Sequence, residues 1–223
     1  MSNSELQEDW LTRAASRLLI GIARHWLLFF NLGWGIYVGL PLLAPLLMQL
    51  GLVAPARLIY AVYSIFCHQL PDHSYFFFGQ GYTPDLSALE AGGLAANLDL
   101  FAQRKFIGNE LLGYKVAICE RDIAIYGSAL LGGLLFALLR KAQARWRLPI
   151  LNWKWYILLL LPMAVDGTSQ LVGLRQSDWL LRSITGALFG LGSVWLAYPF
   201  VEEAMQDVLV SETQRLNSKT VGQ

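Results

Sequence analysis

Residues 26–48 read WLLFFNLGWGIYVGLPLLAPLLM. No Asp, Glu, Lys or Arg interrupts them. The hydrocarbon core of a bilayer takes roughly 20 consecutive apolar residues of helix, so this stretch predicts a transmembrane span. Three more stretches of comparable length and character follow, at about 116–139, 153–172 and 179–200. Pro41, Pro45 and Pro162 fall inside spans, where neighbouring groups can satisfy the carbonyls that a proline frees.

The bulk composition agrees. Of 223 residues, 55% are hydrophobic and only 15% charged, against about a quarter charged in an ordinary soluble domain. Mean hydropathy is +0.44. A net charge of +1 leaves no basic footprint for nucleic acid. The fold class expected is all-α, a polytopic membrane helix bundle of about four spans, in contact with membrane lipids.

A shorter apolar run, Leu58 to Leu70, is too short to cross comfortably and suits a re-entrant or interfacial helix. Charge bias supports this. Arg13, Arg17 and Arg24 precede the first span, and Arg140, Lys141, Arg145 and Arg147 follow the second full one. The positive-inside rule puts both groups in the cytoplasm, so an even number of crossings separates them. Four spans with both termini cytoplasmic, in the cell membrane, satisfy that count if 58–70 does not cross.

Three regions follow. Residues 1–25 carry Trp10, Ala14, Leu18 and Ile22 at helical spacing, opposite Arg13 and Arg17. That is an amphipathic helix on the membrane surface or a solvated helix before the first span. The transmembrane domain covers 26–200 and includes a polar extracytoplasmic segment, 79–114, long enough to be functional or to cover something. Pro84 and Asp85 predict a short helix over 86–94 within it. Residues 201–223 read as a polar helix fraying into a tail.

Ionisable residues within spans are functional-site candidates, because burying them in hydrocarbon is costly. They cluster in "CHQLPDHS" (Cys67, His68, Gln69, Asp72, His73), in "CERDIAIYG" (Cys119, Glu120, Arg121, Asp122, Tyr126), and in "DGTSQLVGLRQSDWLLRSITG" (Asp166, Gln170, Arg175, Ser177, Arg182, Thr185). Asp166 and Gln170 are four apart and Arg182 and Thr185 three apart, so each pair shares a helix face. Asp166 lies 13 residues into an outward-going span, about 20 Å along it. Cys119 and Arg182 begin inward-going ones. All three groups therefore meet in one polar pocket in the outer half of the bilayer.

Taken together, Cys67-His68-Gln69, Cys119 with Arg121, and Asp166-Gly167 with Arg182 and Thr185-Gly186 resemble the bacterial and archaeal membrane family known only as domain of unknown function 2085. Three residues depart from its usual pattern: His73 for Arg, Asp122 for a second Cys, and Ala124 for Gly. The resemblance implies a membrane architecture and a motif map.

Cys67, His68, Cys119 and Asp122 make a tetrahedral ligand set for zinc or another transition metal, and Asp122 keeps the anionic character of the cysteine it replaces. A Cys67–Cys119 disulfide is the alternative, permitted on the outer side. His68 and Gln69 read equally as helix caps, and Asp166 and Arg182 as a buried ion pair. Two functions stay open. One is a metal-dependent or acid/base enzyme acting on a lipid-like substrate, with Asp166 as base, His68 as acid or base, and Arg121 and Arg182 on an anionic headgroup. The other is a non-catalytic accessory or assembly subunit of a larger membrane complex.

Overall fold

The computed structural model describes residues 3–142, 150–175 and 177–221. Arg145 and Arg147, on which part of the orientation argument rests, lie outside the described residues. The molecule is an all-α bundle. Its helices are α1 (Asn3–Gln49), α2 (Val53–Tyr63), α3 (Leu86–Ala91), α4 (Leu100–Gln103), α5 (Glu120–Ala142), α6 (Trp153–Leu171) and α7 (Trp179–Val221). Among the described residues, three stretches, Trp10–Gln49, Glu120–Lys141 and Trp179–Ser218, are long and apolar enough to cross a membrane. The stretch expected as the third span, now α6, falls short of that measure, because Lys154 and Asp166 dilute its 19 residues.

Packing sets the direction of each helix. Gly186 of α7 lies against Ala124 and the Arg121 carbonyl, and Gly132 of α5 against Val194. Partner numbers rise together, so α5 and α7 run parallel. The chain must then return between them, and α6 does so. Its Tyr156 hydroxyl meets Ser193 at 3.0 Å, while its Asp166 meets Arg121 at 2.6 Å, so its numbers fall as those of α7 rise. α1 is antiparallel to α5 and α7: Trp26 packs edge-on to Tyr198 and Trp34 stacks on Tyr126 at 5.3 Å. Four helices, α1, α5, α6 and α7, thus pack side by side in one layer.

From Glu120 to Arg140 the layer measures about 30 Å of helix rise. At its Arg140 end, Glu202 accepts from Trp26 Nε1 at 3.0 Å and pairs with Arg140 at 3.2 Å. The polar motifs occupy the Glu120 end.

The amphipathic N-terminal stretch is continuous with the first span in one 47-residue helix; Gly21 alone does not break it. α7 likewise continues the last span to Val221. The 58–70 run divides. α2 takes its first part, 11 residues or about 17 Å of helix, too short to cross. The rest is an irregular strand ending in a 3-10 turn at Pro71–His73. α1 and α2 form a hairpin past Gly51, whose φ is +75°. Pro45 lacks the N–H that would bond the Pro41 carbonyl; the Ala117 N–H takes that carbonyl instead, at 3.3 Å, and this holds the hairpin to the chain entering α5.

The polar segment is more structured than its composition suggests. Strands β1 (Phe76–Phe77), β2 (Gly108–Asn109) and β3 (Gly113–Lys115) form an antiparallel sheet in the order β1-β3-β2. Asp85 caps α3 through the Ala88 N–H, as its position before the apolar run predicts. Phe76, Leu89, Leu94 and Leu112 make a small separate core.

Candidate functional site

The triplet Cys67-His68-Gln69 follows α2 after a turn over residues 64–66 and sends its three side chains in three directions. Gln69 is structural. Its φ of +51° is strained for a residue with a side chain. Its amide nitrogen holds that conformation by donating to the Tyr60 carbonyl at 2.9 Å and the Ala117 carbonyl at 2.8 Å. Lys115, fully buried, donates to the Gln69 carbonyl at 2.7 Å and the Arg104 carbonyl at 2.6 Å. Burial lowers its amine to about 7. The neutral amine has two N–H groups, matching those two acceptors.

Cys67 turns the other way, into the core beside Cys119. The Cys119 N–H donates to Cys67 Sγ at 3.2 Å, and both thiols are free. Asp122, one turn into α5, completes a group in which one ligand atom from each of Cys67, Cys119 and Asp122 lies within 4.8 Å of the others. Ligands bound tetrahedrally at 2.0–2.3 Å stand about 3.5 Å apart, so a small contraction would close three arms on a cation. His68 stands outside that group. Its Nδ1 accepts from the Leu70 N–H at 3.2 Å, and its ring faces that of His73 at 5.6 Å.

These residues line a cavity of about 560 Å³. Cys67, His68, His73, Cys119, Arg121, Asp122, Gln170 and Arg182 form its polar wall; Phe66, Leu70, Leu100 and Leu171 form its apolar one. Burial lowers the pKa of His68, and lowers His73 to about 4 against the opposing pull of Asp72. Burial thus disfavours the charged form of both imidazoles.

Three of the expected site residues, Asp166, Arg121 and Arg182, stand in ion pairs. Asp166, buried, is held by Arg121 Nη2 at 2.6 Å and by Arg175 Nη2 at 2.5 Å. Arg182 pairs with Glu120 at 3.0 Å, both buried. Two guanidinium nitrogens, Nε of Arg121 and Nε of Arg182, are buried with no hydrogen-bond partner. Glu120 and Arg175, noticed in the sequence only as charges within these clusters, belong to this network as fully as the residues given a role there. Charge inside an apolar layer was the available signal, and it did not say which arginine holds which acid. Thr185 bonds only the Leu181 and Arg182 carbonyls of its own helix, and Ser177 contacts the neighbouring Asp178 carbonyl.

A family model described as predicted membrane protein (DUF2085) matches residues 102–196. That range takes in the Cys119 and Asp166–Arg182 motifs and begins downstream of Cys67-His68-Gln69. An uncharacterized protein of Methanocaldococcus jannaschii is 34% identical over 146 residues, 65% of this chain and 69% of that protein. No solved structure matches the chain.

Proposed function

Because the chain belongs to the predicted membrane protein family DUF2085, we propose that the cavity is a metal-assisted site for an anionic, lipid-like substrate at the outer face of a four-span membrane protein. The observation that carries this reading is the gathering of Cys67, Cys119 and Asp122 within 4.8 Å on the wall of an amphiphilic cavity. Two segments, the chain after α2 and the start of α5, supply two soft ligands and one hard one, a donor set suited to zinc.

A bound cation would supply Lewis-acid polarisation of a substrate oxygen. The protein's own groups do the rest. Nε of Arg121 and Nε of Arg182 are buried donors without partners, suited to a phosphate or carboxylate oxygen. Both Asp166 oxygens are engaged, so Asp166 orients Arg121 rather than taking a proton. His68, with Nδ1 accepting from Leu70, presents Nε2–H as the donor to a leaving oxygen. Phe66, Leu70, Leu100 and Leu171 give an acyl chain an apolar wall. The four-helix packing supports four crossings. Arg13, Arg17, Arg24, Arg140 and Lys141 lie toward the opposite end, which favours cytoplasmic termini.

Native mass spectrometry of the protein in mild detergent tests this reading. Retention of an anionic lipid, reduced at least tenfold in Arg121→Gln, is the expected result. A retained partner protein, with neither metal nor lipid bound, would instead support the accessory-subunit reading.

A further inference from the structure

The face of α1 turned away from the bundle carries a seven-residue apolar repeat that outruns the bilayer. Leu11, Leu18 and Leu32 occupy one series of positions, in which His25 is the polar member; Ile22, Phe29, Ile36 and Leu43 occupy a second, offset by four. All seven apolar side chains are exposed, and so is His25. From Leu11 to Leu43 the stripe is about 48 Å long, against roughly 30 Å of hydrocarbon.

Lipid can cover only part of it. The Arg140–Glu202–Trp26 hub marks where the hydrocarbon must end, since an ion pair is poorly housed deeper. Leu18 and Leu11 lie eight and fifteen residues beyond Trp26, about 12 and 22 Å further along the helix, with 64% and 53% of their surface exposed. The inner face of this extension is already occupied: Met205 of α7 packs against the Trp26 cluster, and Ser16 and Ala23 are buried.

We infer that α1 pairs in parallel with α1 of a second copy, about a two-fold axis along the membrane normal, in one seam running from the membrane layer into the water beyond it. A repeat of seven is what a left-handed two-helix seam requires, whereas a lipid-facing surface needs no period. A two-fold axis along the normal places identical residues opposite each other, so one register serves both the membrane and the aqueous part. Gly39 falls on the seam with open space beyond it, which allows the backbones to approach closely. Arg17 and Arg24 lie about 100° or more round the helix from the stripe, so the arginines do not meet across it; His25 is the one polar side chain on the seam, as a single polar seam position that fixes register. A strip roughly 48 Å by 10–12 Å offers on the order of 500 Å² per copy. That is below the ~800 Å² per partner of a standard interface, and the shared membrane adds to it by confining both copies to one plane.

Oxidative cross-linking in native membranes tests the pairing independently of the cavity. Leu18→Cys and Ile36→Cys should each give a disulfide-linked dimer, with wild type and Leu131→Cys, exposed on α5, giving at least tenfold less. Leu18→Asp should convert dimer to monomer by light scattering in mild detergent. Cross-linking at Leu131 equal to that at Leu18, a Leu18 adduct with the mass of another protein, or a monomeric wild type would each overturn the inference.

Discussion

Glu120 and Arg182 meet at 3.0 Å across 62 residues of sequence, both nearly inaccessible to solvent. Each stands in the first turn of its helix, so the pair fixes the starts of α5 and α7 at one level. Parallel packing follows, and with it the need for α6 to return.

Breaking this pair from one side leaves a buried charge uncompensated. Arg182→Met or Glu120→Gln alone should each destabilise the protein by about 3–5 kcal/mol. The double substitution should recover much of that loss, because no charge is then stranded. Thermal melting of the four variants in one detergent checks the prediction; additive single effects would contradict it.

Asp166 divides its oxygens between two unequal partners. Arg175 is 46% exposed and Arg121 is 25% exposed. Arg175→Ala should cost under about 1 kcal/mol, as exposed pairs do. Asp166→Ala should cost more, about 3–5 kcal/mol, because it removes the buried acid shared by both pairs and leaves the mostly buried Arg121 guanidinium without a carboxylate. Equal melting shifts for the two variants would show that the α6–α7 connection carries more of the fold than its exposure implies.

Gly190 lies where α7 touches the Ile125 carbonyl and Ser128 hydroxyl of α5. A methyl group there has no room. Gly190→Ala should lower stability by about 1–3 kcal/mol, while Gly35→Ala, which faces open space, should be neutral within about 0.5 kcal/mol. A tolerated Gly190→Ala would argue against the close α5–α7 packing.

Lys115 gives the pH dependence its sign. Its amine falls from the ordinary 10.5 to about 7 when the chain folds. Between those values the unfolded chain binds a proton that the folded one does not, so stability should rise as pH increases from 7 toward 10.5. Below about 7 both forms are protonated and the cost of burying the charge is present in full. Melting temperature in detergent should climb between pH 7 and pH 9, and Lys115→Met should flatten that slope. A slope unchanged by the substitution would assign it to other groups.

The membrane bundle and the clustering of its polar residues were legible because both are written in composition and helical period. Apolar blocks mark helices whatever their neighbours, and the spacing of Asp166 and Gln170 survives folding. The separate duties of Cys67, His68 and Gln69 were not legible. They depend on the positive φ at Gln69, on the buried Lys115 amine and on the Ala117 carbonyl, 48 residues away. The β1-β3-β2 sheet was missed for a similar reason: strands of two and three residues carry too little periodicity to register. Arg175 was noticed as a charge, but its grip on Asp166 depends on the turn at Gly173, whose φ is +72°.

The central claim is that Cys67, Cys119 and Asp122 hold a metal ion. Elemental analysis of protein purified without chelator, beside a thiol count on the unreduced chain, measures it most directly. The account predicts about one zinc-class ion per chain, lost in Cys119→Ser and in Asp122→Ala, with both thiols protected until the ion is removed. A Cys67–Cys119 cross-linked peptide, or two freely alkylated thiols with no metal bound, would contradict it.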